Sequence, residues 1–193
     1  ASGSWGGTIR STSNNTIALN TTVKSGNIGR NNYDYAAGLY VGGRNNGNHY
    51  VLRKAIIEGG TQANVIGGPL SVESNVLNGS TFLNDTYIYV KGGTPDIIVG
   101  GAGASSTYGN RVIQVTGGTV NYAVFGGSNG VTGSDGGTYP GILYGDSYVY
   151  IGGHATIGNG SNTNHSVSAV ESGSVFGAGN GNSSSVGVGS VNN

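Results

Sequence analysis

Asn110-Arg111-Val112-Ile113-Gln114-Val115-Thr116-Gly117-Gly118-Thr119-Val120-Asn121-Tyr122-Ala123-Val124-Phe125-Gly126-Gly127-Ser128-Asn129-Gly130 holds two short apolar runs, each followed by a double glycine. Val112 to Val115 alternates, with Ile113 and Val115 on one side and Val112 and Gln114 on the other, the period of a strand with one buried face. Glycine pairs suit corners that need positive φ or close backbone approach. The stretch therefore reads as strand, corner, strand, corner.

Versions of this unit recur. Tyr40-Val41-Gly42-Gly43 ends an early one. Ile56-Ile57-Glu58-Gly59-Gly60-Thr61 leads into Asn64-Val65-Ile66-Gly67-Gly68, and Tyr87-Ile88-Tyr89-Val90-Lys91-Gly92-Gly93-Thr94 into Ile97-Ile98-Val99-Gly100-Gly101. Tyr148-Val149-Tyr150-Ile151-Gly152-Gly153 follows the opening stretch, and Ser174-Val175-Phe176-Gly177-Ala178-Gly179 closes the series. The corners at Gly59, Gly92, Gly117 and Gly152 lie 33, 25 and 35 positions apart, so constant cores are separated by insertions. Imperfect repeats of this length built from short strands are a solenoid signature. No segment shows helical periodicity.

The expected fold is all-β: a single-domain parallel β-solenoid with irregular Gly-Gly-cornered coils and strand-like terminal tails. Equivalent strands stack about 4.8 Å apart in such a fold. Ile88, Ile113 and Val149 share one inward position, and Val90, Val115 and Ile151 another. Tyr87, Val112 and Tyr148, then Tyr89, Gln114 and Tyr150, point outward. Thr61, Thr94 and Thr119 are expected to form a ladder after the corner. Residues 1–35 read as an extended N-terminal segment with a strand near Thr16-Leu19, 36–180 as the solenoid, and 181–193 as a Gly/Ser/Val-rich tail. Val186, Val188 and Val191 alternate with small residues, a strand able to add to a neighbouring subunit.

Composition bounds the function classes. The 193 residues include 40 Gly, 3 Pro, no Cys and no Met, with only 8% charged. Without Cys there is no disulfide framework or thiolate metal site. No apolar run reaches the roughly 18 residues of a transmembrane helix. An Ala-Ser-Gly-Ser opening without Met fits a processed chain, and together these features predict an extracellular or cell-surface protein. Residues 1–111 carry eight basic and five acidic side chains, residues 112–193 none and three, so the halves are charged +3 and −3. In an elongated molecule that split favours head-to-tail attraction.

At Val124–Gly130 and Tyr148–Gly153 the chain resembles the Gly-rich β-helix repeats of secreted prokaryotic surface and fibre proteins, and is distantly similar to the cellulose-binding tāpirins. The resemblance covers roughly residues 36–180 and rests on the corner motif. It implies a β-helix, with a role in adhesion or in fibre-forming appendages.

No catalytic constellation stands out, and enzyme activity is not expected. Asp85, Asn110 and Asp146 hold the same place before their strands and invite comparison with the stacked carboxylates of polysaccharide-cleaving β-helices. The middle residue is Asn, however, and a lone Asp there commonly makes a turn. Asp85, Asp146 and Asp135 are also the candidate calcium ligands, although they lack the regular Gly-Gly-x-Gly-x-Asp repeat of calcium β-rolls. No other cofactor is implied. His49, His154 and His165 share no ligand spacing. Zero net charge and the lack of a basic cluster disfavour nucleic acid. Seven sequons, from Asn14 to Asn182, permit glycosylation, at a frequency near that expected from the abundant Asn, Ser and Thr.

The 12 Tyr are the one suggestive enrichment. Tyr87, Tyr89, Tyr148 and Tyr150 on a flat face, with Trp5 near the start, are candidates to stack sugar rings or to pack against another subunit. Tyr also simply suits exposed strands. The leading expectation is a structural subunit that self-assembles into an extracellular filament, the alternative an adhesin that binds polysaccharide through its Tyr face.

Overall fold

Arg111 to Val115 forms a strand with strictly alternating burial, buried at Arg111, Ile113 and Val115 and half-buried between. Its neighbours repeat the pattern at Arg53–Ile57 and Thr86–Val90. A computed structural model describes residues 4–5, 9–10, 19–28, 39–41, 53–68, 82–83, 85–102, 107–128, 131–132, 138–139, 142–158, 172–179 and 191–192. Among these residues the protein is all-β, with no helix, and its larger sheets are parallel and open.

Three sheets recur. The five-stranded sheet runs Ser147–Ile151, Arg111–Val115, Thr86–Val90, Arg53–Ile57, Leu19–Val23. The eight-stranded sheet follows the path Ser4–Trp5, Asn27–Ile28, Thr61–Ile66, Thr94–Val99, Ala123–Phe125, Ser174–Phe176, with Leu39–Tyr40 and Ile9–Arg10 branching from Thr61–Ile66. The four-stranded sheet runs Val191–Asn192, Leu143–Tyr144, Thr107–Tyr108, Phe82–Leu83. From Arg53 onward the chain visits the sheets in one order, five-stranded, eight-stranded, four-stranded, and then begins again. A small antiparallel hairpin, Val131–Thr132 with Thr138–Tyr139, branches off after the Gly126-Gly127 corner.

The register carries the sequence columns into space. Ala55, Ile88, Ile113 and Val149 align, as do Ile57, Val90, Val115 and Ile151. The first three of each column are fully buried, packed in one core with Val65, Ile98 and Val124 of the eight-stranded sheet. Burying one such side chain is worth about 1.5–3 kcal/mol. The central strands of the eight-stranded sheet are buried on both faces, because Ile66, Ile97, Val99, Ala123 and Phe125 form a second core against Tyr122. Parallel strands covered on both faces read as continuous apolar runs, which is why Val124 and Phe125 are adjacent and both buried. The strands on either side of residue 36 share these sheets: Leu19–Val23 pairs with Arg53–Ile57. Of the expected strand at Thr16-Leu19, residues 16–18 lie outside the described residues, and the observed strand begins at Leu19.

The two kinds of double glycine have different causes. Gly118 has φ 80°, the left-handed region. A Cβ on Gly117 would lie 2.4 Å from the Lys91 carbonyl oxygen of the neighbouring strand's corner. The corners at Gly67, Gly100 and Gly126 have no positive φ; there a Cβ would lie 2.0–2.3 Å from the carbonyl oxygens of Gly100, Gly126 and Gly177 respectively. Close stacking alone requires those glycines.

One expected equivalence fails. Val115 pairs with Ile151, but Thr119 pairs with Thr156, so the last corner contains one extra residue. Gly152 takes the place of Thr116, donating its N–H to Val115 O as Thr116 donates to Val90 O, and Gly153 rather than Gly152 occupies the site of Gly117. The threonine ladder is present as Asn27, Thr61, Thr94, Thr119 and Thr156, linked through backbone pairing.

Candidate functional site: the tyrosine face and the end of the stack

The outward face of the five-stranded sheet carries the tyrosines. Lys54, Tyr87, Val112 and Tyr148 form one row, and Ile56, Tyr89, Gln114 and Tyr150 the next. Tyr148 and Tyr150 are 55% and 59% exposed, whereas Tyr87 and Tyr89 are half-buried. The Tyr87 and Tyr89 rings stack at 6.3 Å and 10°, and Lys54 Nζ lies 5.0 Å from the Tyr89 centroid, a cation–π distance. The four rings thus share one face, but two pack on the sheet and two stand free. Only Tyr148 and Tyr150 have broad surface left for a ligand.

Asp85, Asn110 and Asp146 do stack, and their geometry is that of a turn ladder. The Asn110 N–H donates to Asp85 Oδ1 at 2.7 Å, and the Asp146 N–H donates to Asn110 Oδ1 at 3.0 Å. At the last rung the Tyr148 hydroxyl donates to Asp146 Oδ2 at 3.0 Å. That hydrogen bond, then the carboxylate charge and slight desolvation, holds the Tyr148 phenol above its ordinary pKa. Among the described residues no group of three His, Cys, Asp or Glu is placed to hold a metal. Asp135 lies outside the described residues.

Trp5 lies in the strand Ser4–Trp5, which pairs with Asn27–Ile28 at the N-terminal end of the eight-stranded sheet. Val191 lies in a strand that joins Leu143–Tyr144 of the same chain. Val186 and Val188 lie outside the described residues.

Sequence reasoning missed the inward row Arg53, Thr86, Arg111, Ser147. Arg53 is 4% and Arg111 0% exposed. Arg111 Nη1 donates to Asn110 O at 3.0 Å and Nη2 to Tyr108 O at 3.4 Å, so the guanidinium ties a strand start to the preceding corner. Burial pulls the Arg53 guanidinium below its ordinary pKa. The alternation itself is the signal: Arg53 and Arg111 share parity with the buried Ala55, Ile57, Ile113 and Val115. Two of the eight basic residues therefore lie inside, and the sequence's half-by-half charge split overstates the surface charge.

The last strands mark an end. Val175 and Phe176 are 44% and 40% exposed, although their registered neighbours Val124 and Phe125 are fully buried. The Phe125 and Phe176 rings stack at 5.1 Å and 9°, leaving the far side of Phe176 open. Val149, Ile151, Ala155 and Ile157 are only partly buried against the core.

The chain matches no family model, and no matching curated protein or solved structure was found.

Proposed function

We propose that the protein is a parallel β-solenoid serving as a structural subunit of an extracellular filament or surface appendage. One observation carries the reading. A single parallel register runs through five strands of one sheet and ends, among the described residues, at strands paired on one edge only, Leu19–Val23 and Ser147–Ile151. Unpaired, flat strand edges are templates for further pairing. Because the two ends differ, pairing between copies is head to tail, and continued along the stacking direction it yields fibres. The low charge and lack of Cys fit an extracellular setting. The reading assigns the chain no catalysis, no cofactor and no nucleic-acid partner. Electron microscopy of purified protein tests it: filaments are expected, and a monomer that persists at high concentration would refute the reading.

A second reading rests on Tyr148 and Tyr150, both more than half exposed on one flat face. Aromatic rings presented this way suit the apolar faces of sugar rings, as a polysaccharide adhesin requires. Pull-down on insoluble cellulose, chitin or cell walls is the check. Tyr148→Ala with Tyr150→Ala should abolish retention, and undiminished retention would rule the face out.

A further inference from the structure

A glycine column records what lies above each corner. At Gly67, Gly100 and Gly126 an added Cβ would collide with the backbone oxygen of the next corner along the stack, at 2.0, 2.2 and 2.3 Å. Gly177 is the fourth member, following Phe176 as Gly126 follows Phe125. It has no positive φ, and no described residue lies within 4 Å of its Cβ position. Among the described residues, therefore, neither conformation nor crowding calls for glycine there. A further corner stacked on top would call for it.

The surroundings agree. Exposed apolar surface collects at this end, on Val175 and Phe176, with Val149, Ile151, Ala155 and Ile157 half-buried beneath. At the opposite end Val23, Ile28 and Leu39 are at most 2% exposed. The last strands, Ser147–Ile151, Thr156–Ile157 and Ser174–Phe176, contain no Lys, Arg, Asp, Glu or Pro, the residues that natural edges use to refuse partners. The Asp85–Asn110–Asp146 ladder also ends here. Each earlier member accepts the next strand's N–H, while Asp146 turns to the hydroxyl of its own Tyr148.

We propose that the C-terminal coil is the acceptor end of the filament, and that its occupant is the N-terminal end of a second copy. Ser4–Trp5 and Ile9–Arg10 of the incoming chain, which lie one layer beyond Leu19–Val23 in the stack, extend the eight-stranded sheet past the last coil, with Ile9–Arg10 over Val175 and Phe176 as its column dictates. The apolar surface of Val175 and Phe176 is then covered, and the incoming backbone fills the space over Gly177. This inference rests on the filament reading and adds its polarity and contact surface.

Gly177→Val is the test, because the free molecule has room for the added side chain. In dilute protein the variant should melt at the wild-type temperature. Its critical concentration for assembly, followed by light scattering and microscopy, should rise about tenfold or more, the effect of losing about 1.4 kcal/mol per contact. Phe176→Ser is the second variant should Gly177→Val fold poorly; it lowers the melting temperature by uncovering Phe125, and its critical concentration, measured below that temperature, should rise in the same way. Because either variant keeps an intact N-terminal end, a small fraction mixed into wild type should add to filament ends and stop them, shortening the filaments. Wild-type filaments with unchanged assembly of folded Gly177→Val would overturn the acceptor end while leaving the filament reading standing. A closed dimer abolished by the substitution would overturn head-to-tail polarity. Absence of any wild-type assembly would remove both.

Discussion

A methyl group at position 126 meets three obstacles, Ser147 Oγ at 2.2 Å, the Gly177 carbonyl oxygen at 2.3 Å and Val149 Cγ2 at 2.9 Å. One is backbone and does not yield cheaply. Gly126→Ala should therefore destabilise the fold by about 1–3 kcal/mol, the range for overpacking, read as a lower melting temperature. Gly177→Ala, the same change one step along the column, should leave the monomer's melting temperature unaltered. Tyr148 gives a second prediction at this scale. Its phenol is held protonated by the Asp146 carboxylate, so its folded pKa lies above the ordinary tyrosine value of about 10. The stabilisation from that contact is present below the ordinary value and is lost as pH rises through the folded one. Asp146→Asn removes the charge, and tyrosinate absorbance should then develop at lower pH; an unchanged titration would show that the contact does not hold in solution.

Strands in this protein differ in worth according to their place in the stack. Ile113 is fully buried on a strand paired on both sides, and Ile113→Ala should cost about 2–5 kcal/mol in denaturant unfolding. Val149 continues the same column on the last strand, where it is only half-buried. Val149→Ala should cost clearly less in dilute protein, and the difference should shrink under conditions where copies stack. Equal costs in dilute protein would mean that the end of the core is covered in the monomer. The strand-leading arginines show why alternation outranks residue class: Arg111 takes the inward place its parity dictates and donates from Nη1 and Nη2 to the carbonyls of Asn110 and Tyr108. A hydrogen bond to a charged group is worth about 1.5–3 kcal/mol, which helps offset desolvation.

The molecule as a whole has two unlike ends, and assembly through them ties stability to concentration. Any partner that binds only the folded state raises apparent stability by mass action. The melting temperature of the wild type should therefore climb with protein concentration, while that of Gly177→Val should not. The buried arginines bear on the forces involved. With part of the N-terminal half's positive charge inside, apolar contact at the last coil outweighs charge attraction, so assembly should weaken only slightly with added salt. A steep loss of assembly with salt would return charge to the leading role.

The sequence by itself determined the local grammar: strands at Thr86–Val90, Arg111–Val115 and Ser147–Ile151, their inward columns, the outward tyrosines and the corner positions. Side-chain alternation and glycine are enforced over a few residues, so they are legible without a fold. Only the tertiary structure decided the rest. It separated glycines kept for φ, such as Gly118, from those kept for crowding, such as Gly126. It showed the extra residue in the last corner, the second core around Phe125, and the unequal exposure of the four tyrosines. Each of these depends on which backbone lies next in the stack, a neighbour 25 or more residues away in sequence. Gly177 belongs to both kinds of knowledge: its place in the repeat is written in the chain, and the empty space above it is visible only once the strands are assembled.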